Sequence, residues 1–159
     1  MRAIGEMWGE DLKIRDYVAG DAVALAALCR PSVREIGPRD YARRQVHAWA
    51  ARAPTPEHIH ECASDGRTTL VAVDDGDRPI GFIDLEDDGH IDFLYCAPEA
   101  AGRGAASALY DALEARARKR GVGRLYAEAS EAARRAFAIG GVEIHNHAVE
   151  KALSHPGMV

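Results

Sequence analysis

The stretch from His90 to Gly121 constrains this chain more than any other. Ile91 to Cys96 is a short apolar run rich in strand-favouring residues. Pro98-Glu99-Ala100 reads as a turn, and a glycine-bearing loop follows, Ala101-Gly102-Arg103-Gly104-Ala105-Ala106. Beyond it, Leu109, Leu113 and Ala117 recur every four residues, which predicts a helix that Gly121 ends. A strand that feeds a small-residue loop at the start of a helix suits phosphate. The first helical turn holds N–H groups without partners, and the macrodipole adds partial positive charge there. Small residues let a pyrophosphate come close to that backbone, and Arg103 adds a cation. The competing reading of the glycines is an ordinary tight turn. Two other nucleotide signatures are missing: there is no GxxxxGK[ST] and no GxGxxG in a leading βαβ unit.

The segment resembles the acetyl-CoA-binding motif of the GCN5-related N-acetyltransferase (GNAT) superfamily, a strand, then [QR]-x-x-G-x-[GA], then a helix. The loop fits that pattern at Gly104 and Ala106 and departs from it at Ala101, where the family carries Gln or Arg. The departure loses a side-chain contact and keeps the backbone donors. The resemblance runs from about Leu12 to the C-terminus and is strongest from Gly81 to Ser130. It implies a mixed α/β (α+β) fold, with a mostly antiparallel central sheet flanked by helices. It also implies acetyl-CoA as cosubstrate.

Bulk properties are consistent with one such domain. At 159 residues the chain can bury a core of ordinary size, and 47% hydrophobic with 28% charged residues is the balance of a globular protein. Residues 1–11 show no period and read as an N-terminal extension, with the domain proper over 12–159. Glu6, Glu10 and Asp11 do not suit a signal peptide, and no run has the length of a membrane span, so a cytoplasmic location is expected. Three cysteines, Cys29, Cys62 and Cys96, without a CxxC argue against a disulfide framework and a structural zinc site. A net charge of −5 argues against nucleic acid as partner.

In chain order, Leu12 to Asp16 alternates and predicts a first strand. Asp21 is a candidate N-cap for a helix from Val23 to Cys29, closed by Pro31. A second helix is expected over Arg39 to Ala51, with Tyr41, Val46 and Trp49 on its apolar side, and a short third one through Glu57 to Ala63. By resemblance these helices wall the acceptor site, where Tyr41, His47 and Trp49 could shape the substrate. Plain packing is the better account of the aromatics. His58 and His60 stand two apart and so face different sides of a helix, which speaks against a metal site. Thr68 to Asp74 and Pro79 to Glu86 read as strands joined through Asp75-Gly76-Asp77. Asp87-Asp88-Gly89 is the next turn, and Arg124 to Ala129 is a strand expected parallel to the central one.

The resemblance further implies that these last two strands splay and admit the cofactor's pantetheine arm. It would pair with main-chain groups of Leu94, Tyr95 and Cys96, with Ser130 across the gap. Ala101, Gly102, Arg103, Gly104, Ala105, Ala106 and Ser107 would cradle the pyrophosphate, and Phe137 occupies the position of a customary Tyr beside the cofactor. The chemistry needs a base for the acceptor amine, a donor for the thioester oxygen and a proton for the leaving thiolate. His90 and Asp92, two apart on one strand, share a face. His90 aligns where several family members carry a catalytic Glu, and Glu86 is a third candidate. A backbone N–H near Tyr95 or Cys96 would polarise the thioester. Phenylalanine cannot donate a proton, so with Phe137 either the thiolate leaves as such or Tyr95 or Tyr126 serves. Cys96 suggests a covalent acetyl intermediate, but a small buried residue is the simpler account.

After Gly140-Gly141 a single strand, Val142 to Leu153, is expected where the family has two. An exposed edge of that kind suits pairing with a second copy of the chain. The expected function is acetyl transfer from acetyl-CoA to a small-molecule or peptide amine by direct attack in a ternary complex. The alternative is a non-catalytic CoA-binding module. No metal, nucleic acid or membrane partner is expected.

Overall fold

The structure is a computed structural model that describes residues 12–36, 38, 42–100, 104–129 and 143–147. Strand β1 (Lys13–Asp16) lies antiparallel to β2 (Thr68–Val73), and β2 lies antiparallel to β3 (Pro79–Leu85). The β2–β3 turn is built by side chains as well as by glycine. Asp74 Oδ1 accepts the N–H groups of Gly76 and Arg78 at 3.0 and 2.9 Å, and Asp77 sits at φ +61°. On its other side β3 pairs antiparallel with β5 (Leu94–Cys96). A second sheet is parallel throughout. Strand β4 (His90–Ile91) pairs with β6 (Tyr126–Ala129), and β6 pairs with β7 (Glu143–His147).

Helices cover both faces of the antiparallel sheet. On β3, an ideal Cβ on Gly81 would lie 3.3 Å from Leu109, so its odd positions face helix α4 (Ala105–Lys119). The even positions, with Phe82, meet Phe93 and Tyr95, and beyond them pack α1 (Ala22–Ile36), α2 (Arg43–Ala50) and α3 (Pro56–Ala63). Leu25, Phe82, Ile83, Phe93, Leu109 and Leu113 are buried at the centre. Helix α4 ends as expected, with Gly121 at φ +75° and the Val122 N–H returned to the Ala117 carbonyl. No described helix is long and apolar enough to cross a membrane.

Several expectations are corrected. Helix α1 does not stop at Pro31, which lies inside it. The apolar face of Leu25, Leu28 and Cys29 continues through Val33, and burying that face outweighs the one lost backbone bond. Asp21 does not cap α1 from in front. Its carboxylate turns back to the Val18 N–H at 2.9 Å and takes two bonds from Arg15 at 2.8 and 2.9 Å, which closes a 3₁₀ turn over Ala19–Asp21. Helix α2 begins at Arg43 among the described residues, with Arg39–Tyr41 outside them. The strand expected over Val142 to Leu153 is described only as β7. The central strand is not continuous from Ile91 to Cys96: it divides at Asp92-Phe93 into β4 and β5, which belong to different sheets.

Candidate active site

The division of the central strand organises the site. Asp84 N–H donates to the Phe93 carbonyl, and Glu86 N–H donates to the His90 carbonyl. Two steps along β3 therefore span three steps along the opposite strand, which is a bulge of one residue. A bulge leaves N–H groups without ladder partners. Here both go to one side chain. Asp84 Oδ1 accepts from Asp92 N at 3.0 Å and from Phe93 N at 2.7 Å. Its other oxygen accepts from Arg67 at 2.9 Å. The Arg67 guanidinium also reaches Asp92 at 3.1 Å, Asp65 at 2.8 Å and Glu86 at 3.5 Å. Asp84 is 1% exposed, and burial, the largest influence, pushes its carboxyl up to about 7. The neighbouring Asp92 charge acts in the same direction, while the Phe93 N–H and Arg67 oppose it.

His90, Asp92 and Glu86 come together at the bulge. One ligating atom from each lies within 4.8 Å of the others. His90 Nδ1 is 3.3 Å from Glu86 Oε1, so an ionised Glu86 takes the Nδ1–H and leaves Nε2 as the basic nitrogen. This spacing could hold a cation, but the Arg67 guanidinium already supplies positive charge to Asp92 and Glu86.

Past the bulge, β5 pairs only with β3 among the described residues, and the β4–β6 ladder stops at Ile91↔Ala127. Among the described residues the two strands thus part, as the family resemblance implies. Phe93 accepts from β3 and Ala97 N donates to Ile80 O at 2.7 Å, so positions 93, 95 and 97 turn their main-chain groups toward β3. By alternation, Leu94 and Cys96 turn theirs toward the gap. Tyr95, expected to share in that pairing, faces β3 instead. Downstream, Gly104 caps α4 at φ +90°, and among the described residues an added Cβ there would meet no atom within 4 Å. At the N-terminus of α4, Ala105 is buried, Ala106 half-buried and Ser107 exposed. Ala101, Gly102, Arg103, Ser130, Phe137 and Tyr41 lie outside the described residues.

The other candidates fall into place around this frame. Cys96 is buried, and burial pushes its thiol up to about 12. Tyr95 is buried, and that burial drives its phenol pKa above the ordinary value, while Trp49 is buried in the core. The Tyr126 hydroxyl donates to Asp88, which raises its pKa to about 12, and its ring lies 5.0 Å from that of His90. His60 bonds the Tyr17 hydroxyl at 2.9 Å, while the His58 ring meets Phe93 edge-on at 6.0 Å, so the two histidines do diverge. His47 is exposed. Arg67 and Asp84 escaped the sequence reading. The available signal was an Asp inside the apolar strand Ile80 to Leu85, since a buried carboxylate calls for partners.

The sequence model of the acetyltransferase (GNAT) domain matches residues 38–159. A crystal structure of a GCN5-related N-acetyltransferase from Rhodopseudomonas palustris is 35% identical, covers 82% of this chain and 80% of its own, and superposes with a TM-score of 0.73. The PaiA N-acetyltransferase of Thermoplasma acidophilum, solved in complex with coenzyme A, is 21% identical over 70% of this chain and 74% of its own, with a TM-score of 0.59. A GCN5-related N-acetyltransferase of Kribbella flavida has 22% identity, 72% and 69% coverage, and a TM-score of 0.55. No curated protein matches the chain.

Proposed function

Because the chain belongs to the GNAT acetyltransferase family, we propose that it moves an acetyl group from acetyl-CoA to an amine, by direct attack with both substrates bound. One observation carries this reading. The cluster of Glu86, His90 and Asp92 stands where the parallel β4–β6 ladder ends and β5 goes on paired to β3 alone among the described residues, and that strand edge precedes the N-terminus of α4. An arm that needs main-chain partners and a pyrophosphate that needs N–H donors both fit that arrangement. Bound there, acetyl-CoA supplies an activated thioester.

The chain's own groups supply the rest. Leu94 and Cys96 present main-chain groups to the gap, with the Leu94 N–H next to the bulge as the donor for the thioester oxygen. His90, oriented through Nδ1 by Glu86, takes a proton from the acceptor ammonium at Nε2. Asp92, held by Arg67, is an electrostatic neighbour that favours a cationic acceptor in this reading. The Tyr95 and Tyr126 phenols both resist ionisation, and Tyr126 already donates to Asp88, so neither is assigned as the acid and the thiolate leaves unaided. The acceptor is a small-molecule or peptide amine, and a second copy of the chain is the partner proposed for the C-terminal sheet edge.

Phe137 at the customary Tyr position favours a second reading, a CoA-binding module without turnover. Calorimetric titration with acetyl-CoA and with free CoA, followed by thiol release over a panel of amines, separates the two. Micromolar binding with amine-dependent thiol release is expected. Binding without release favours the module, and no binding to either nucleotide removes both readings.

A further inference from the structure

We propose that Asp84, clamped by Arg67, is a positioning residue of the acyl-transfer site, holding the strand bulge that turns the Leu94 N–H into the gap. The inference rests on the acetyl-transfer reading above. A one-residue bulge in a two-sided buried sheet has two costs. It orphans N–H groups, and it leaves the register free to slip back, which would move every side chain beyond it to the opposite face. Asp84 removes both. One oxygen accepts the N–H groups of Asp92 and Phe93, the two residues at the break. The other oxygen is bonded to Arg67, and the same Arg67 nitrogen bonds Asp92. The bulge is therefore tied at its main chain and at its side chain through one carboxylate and one guanidinium.

The consequence is geometric. With Asp92 and Phe93 N–H both committed to β3, Leu94 is the first residue whose N–H is directed to the open side. Without the bulge, the alternation between the base cluster at His90 and the edge at Leu94 would shift by one position, and the donor and the base would fall on mismatched sides. Asp84 touches neither base nor edge itself: it acts through the backbone it holds. Arg67 has a second part, since it lies within 3.5 Å of Glu86 and so shares the carboxylate that orients His90.

Amide NMR of the full chain tests this without knowledge of the acceptor, with acetyl-CoA and free CoA as the probes. In the wild type the Leu94 amide should shift more with acetyl-CoA than with CoA, because only the former brings a thioester oxygen to it. Asp84→Ala should abolish that difference while CoA affinity stays within about threefold. Asp84→Asn keeps one acceptor oxygen for the two N–H groups and should restore part of the difference. Because Asp84→Ala leaves two buried donors unpaired and can fail to fold, Arg67→Lys, which keeps a cation beside the carboxylate, is measured beside it. It should lower the Leu94 difference at least twofold while CoA affinity stays within about threefold. Wild-type binding of CoA with no Leu94 difference, or retention of the full difference in a folded Asp84→Ala, overturns the positioning role and leaves acetyl transfer standing. No binding of either nucleotide by the wild type overturns both.

Discussion

His90 Nδ1 lies 3.3 Å from the Glu86 carboxylate across a turn closed by Gly89, so the proposed base and the group that would orient it are paired within five residues. His90→Ala should lower kcat about 100-fold and flatten the acidic limb of the pH–rate profile. Glu86→Ala, which leaves the imidazole but frees its orientation, should lower kcat about tenfold with KM for acetyl-CoA unchanged. An unaltered profile in His90→Ala would move the proton transfer to Asp92 or Glu86.

Gly89 is required by its surroundings as well as by its φ of +97°. An added Cβ would lie 1.9 Å from the Arg124 carbonyl oxygen, and the Gly89 carbonyl accepts the Tyr126 N–H that starts the parallel ladder. Gly89→Ala should destabilise the chain by about 4 kcal/mol, since it combines backbone strain with a main-chain collision. Urea denaturation checks this, and a change under about 1 kcal/mol would mean that β6 sits elsewhere.

Gly104 poses the opposite case. Among the described residues bulk there meets no atom, so only the φ of +90° opposes it. Gly104→Val should cost about 1–2 kcal/mol of stability while CoA binding is abolished. Binding that survives in a folded variant would show that the space in front of α4 is not a phosphate cradle.

Cys96 should be dispensable as a nucleophile. Its thiol is buried and pushed up to about 12, so it carries no thiolate at neutral pH. Cys96→Ala should retain turnover within about threefold, and mass spectrometry of the wild type with acetyl-CoA should find no acetylated Cys96. An acetyl adduct on that residue would replace direct attack by a two-step route.

Asp84 makes stability depend on pH near neutrality. Its folded carboxyl is raised to about 7 from an ordinary value near 4, so between those limits the folded chain holds a proton that the unfolded chain has released. That contribution is complete below about pH 4 and is lost as pH rises through about 7. The urea midpoint should therefore fall between pH 5.5 and pH 8 more in the wild type than in Asp84→Asn. Equal falls in both would assign the titration to another group.

Local chemistry was enough to read much of this architecture. Asp75-Gly76-Asp77 and Gly89 mark their turns, the four-residue spacing of Leu109, Leu113 and Ala117 marks α4, and the loop ending at Gly104 marks its N-terminus. His90, Asp92 and Glu86 were visible because a turn of three residues brings them together. The end of α1 was misread, because Pro31 is a local stop signal and the burial of Val33 is a tertiary one.

What the sequence alone determined was the set of elements, their order, and the family whose motif they carry, since all three are encoded in periodicity and in adjacent residues. Only the tertiary structure decided where the central strand breaks, and that Arg67 and Asp84 hold the break. Ile91 to Cys96 reads as one uninterrupted strand, because a bulge is set by pairing across strands and leaves no period of its own. The groups that hold it come from 8 to 25 positions away, and a carboxylate buried at 1% exposure is tolerable only once its partners are in place.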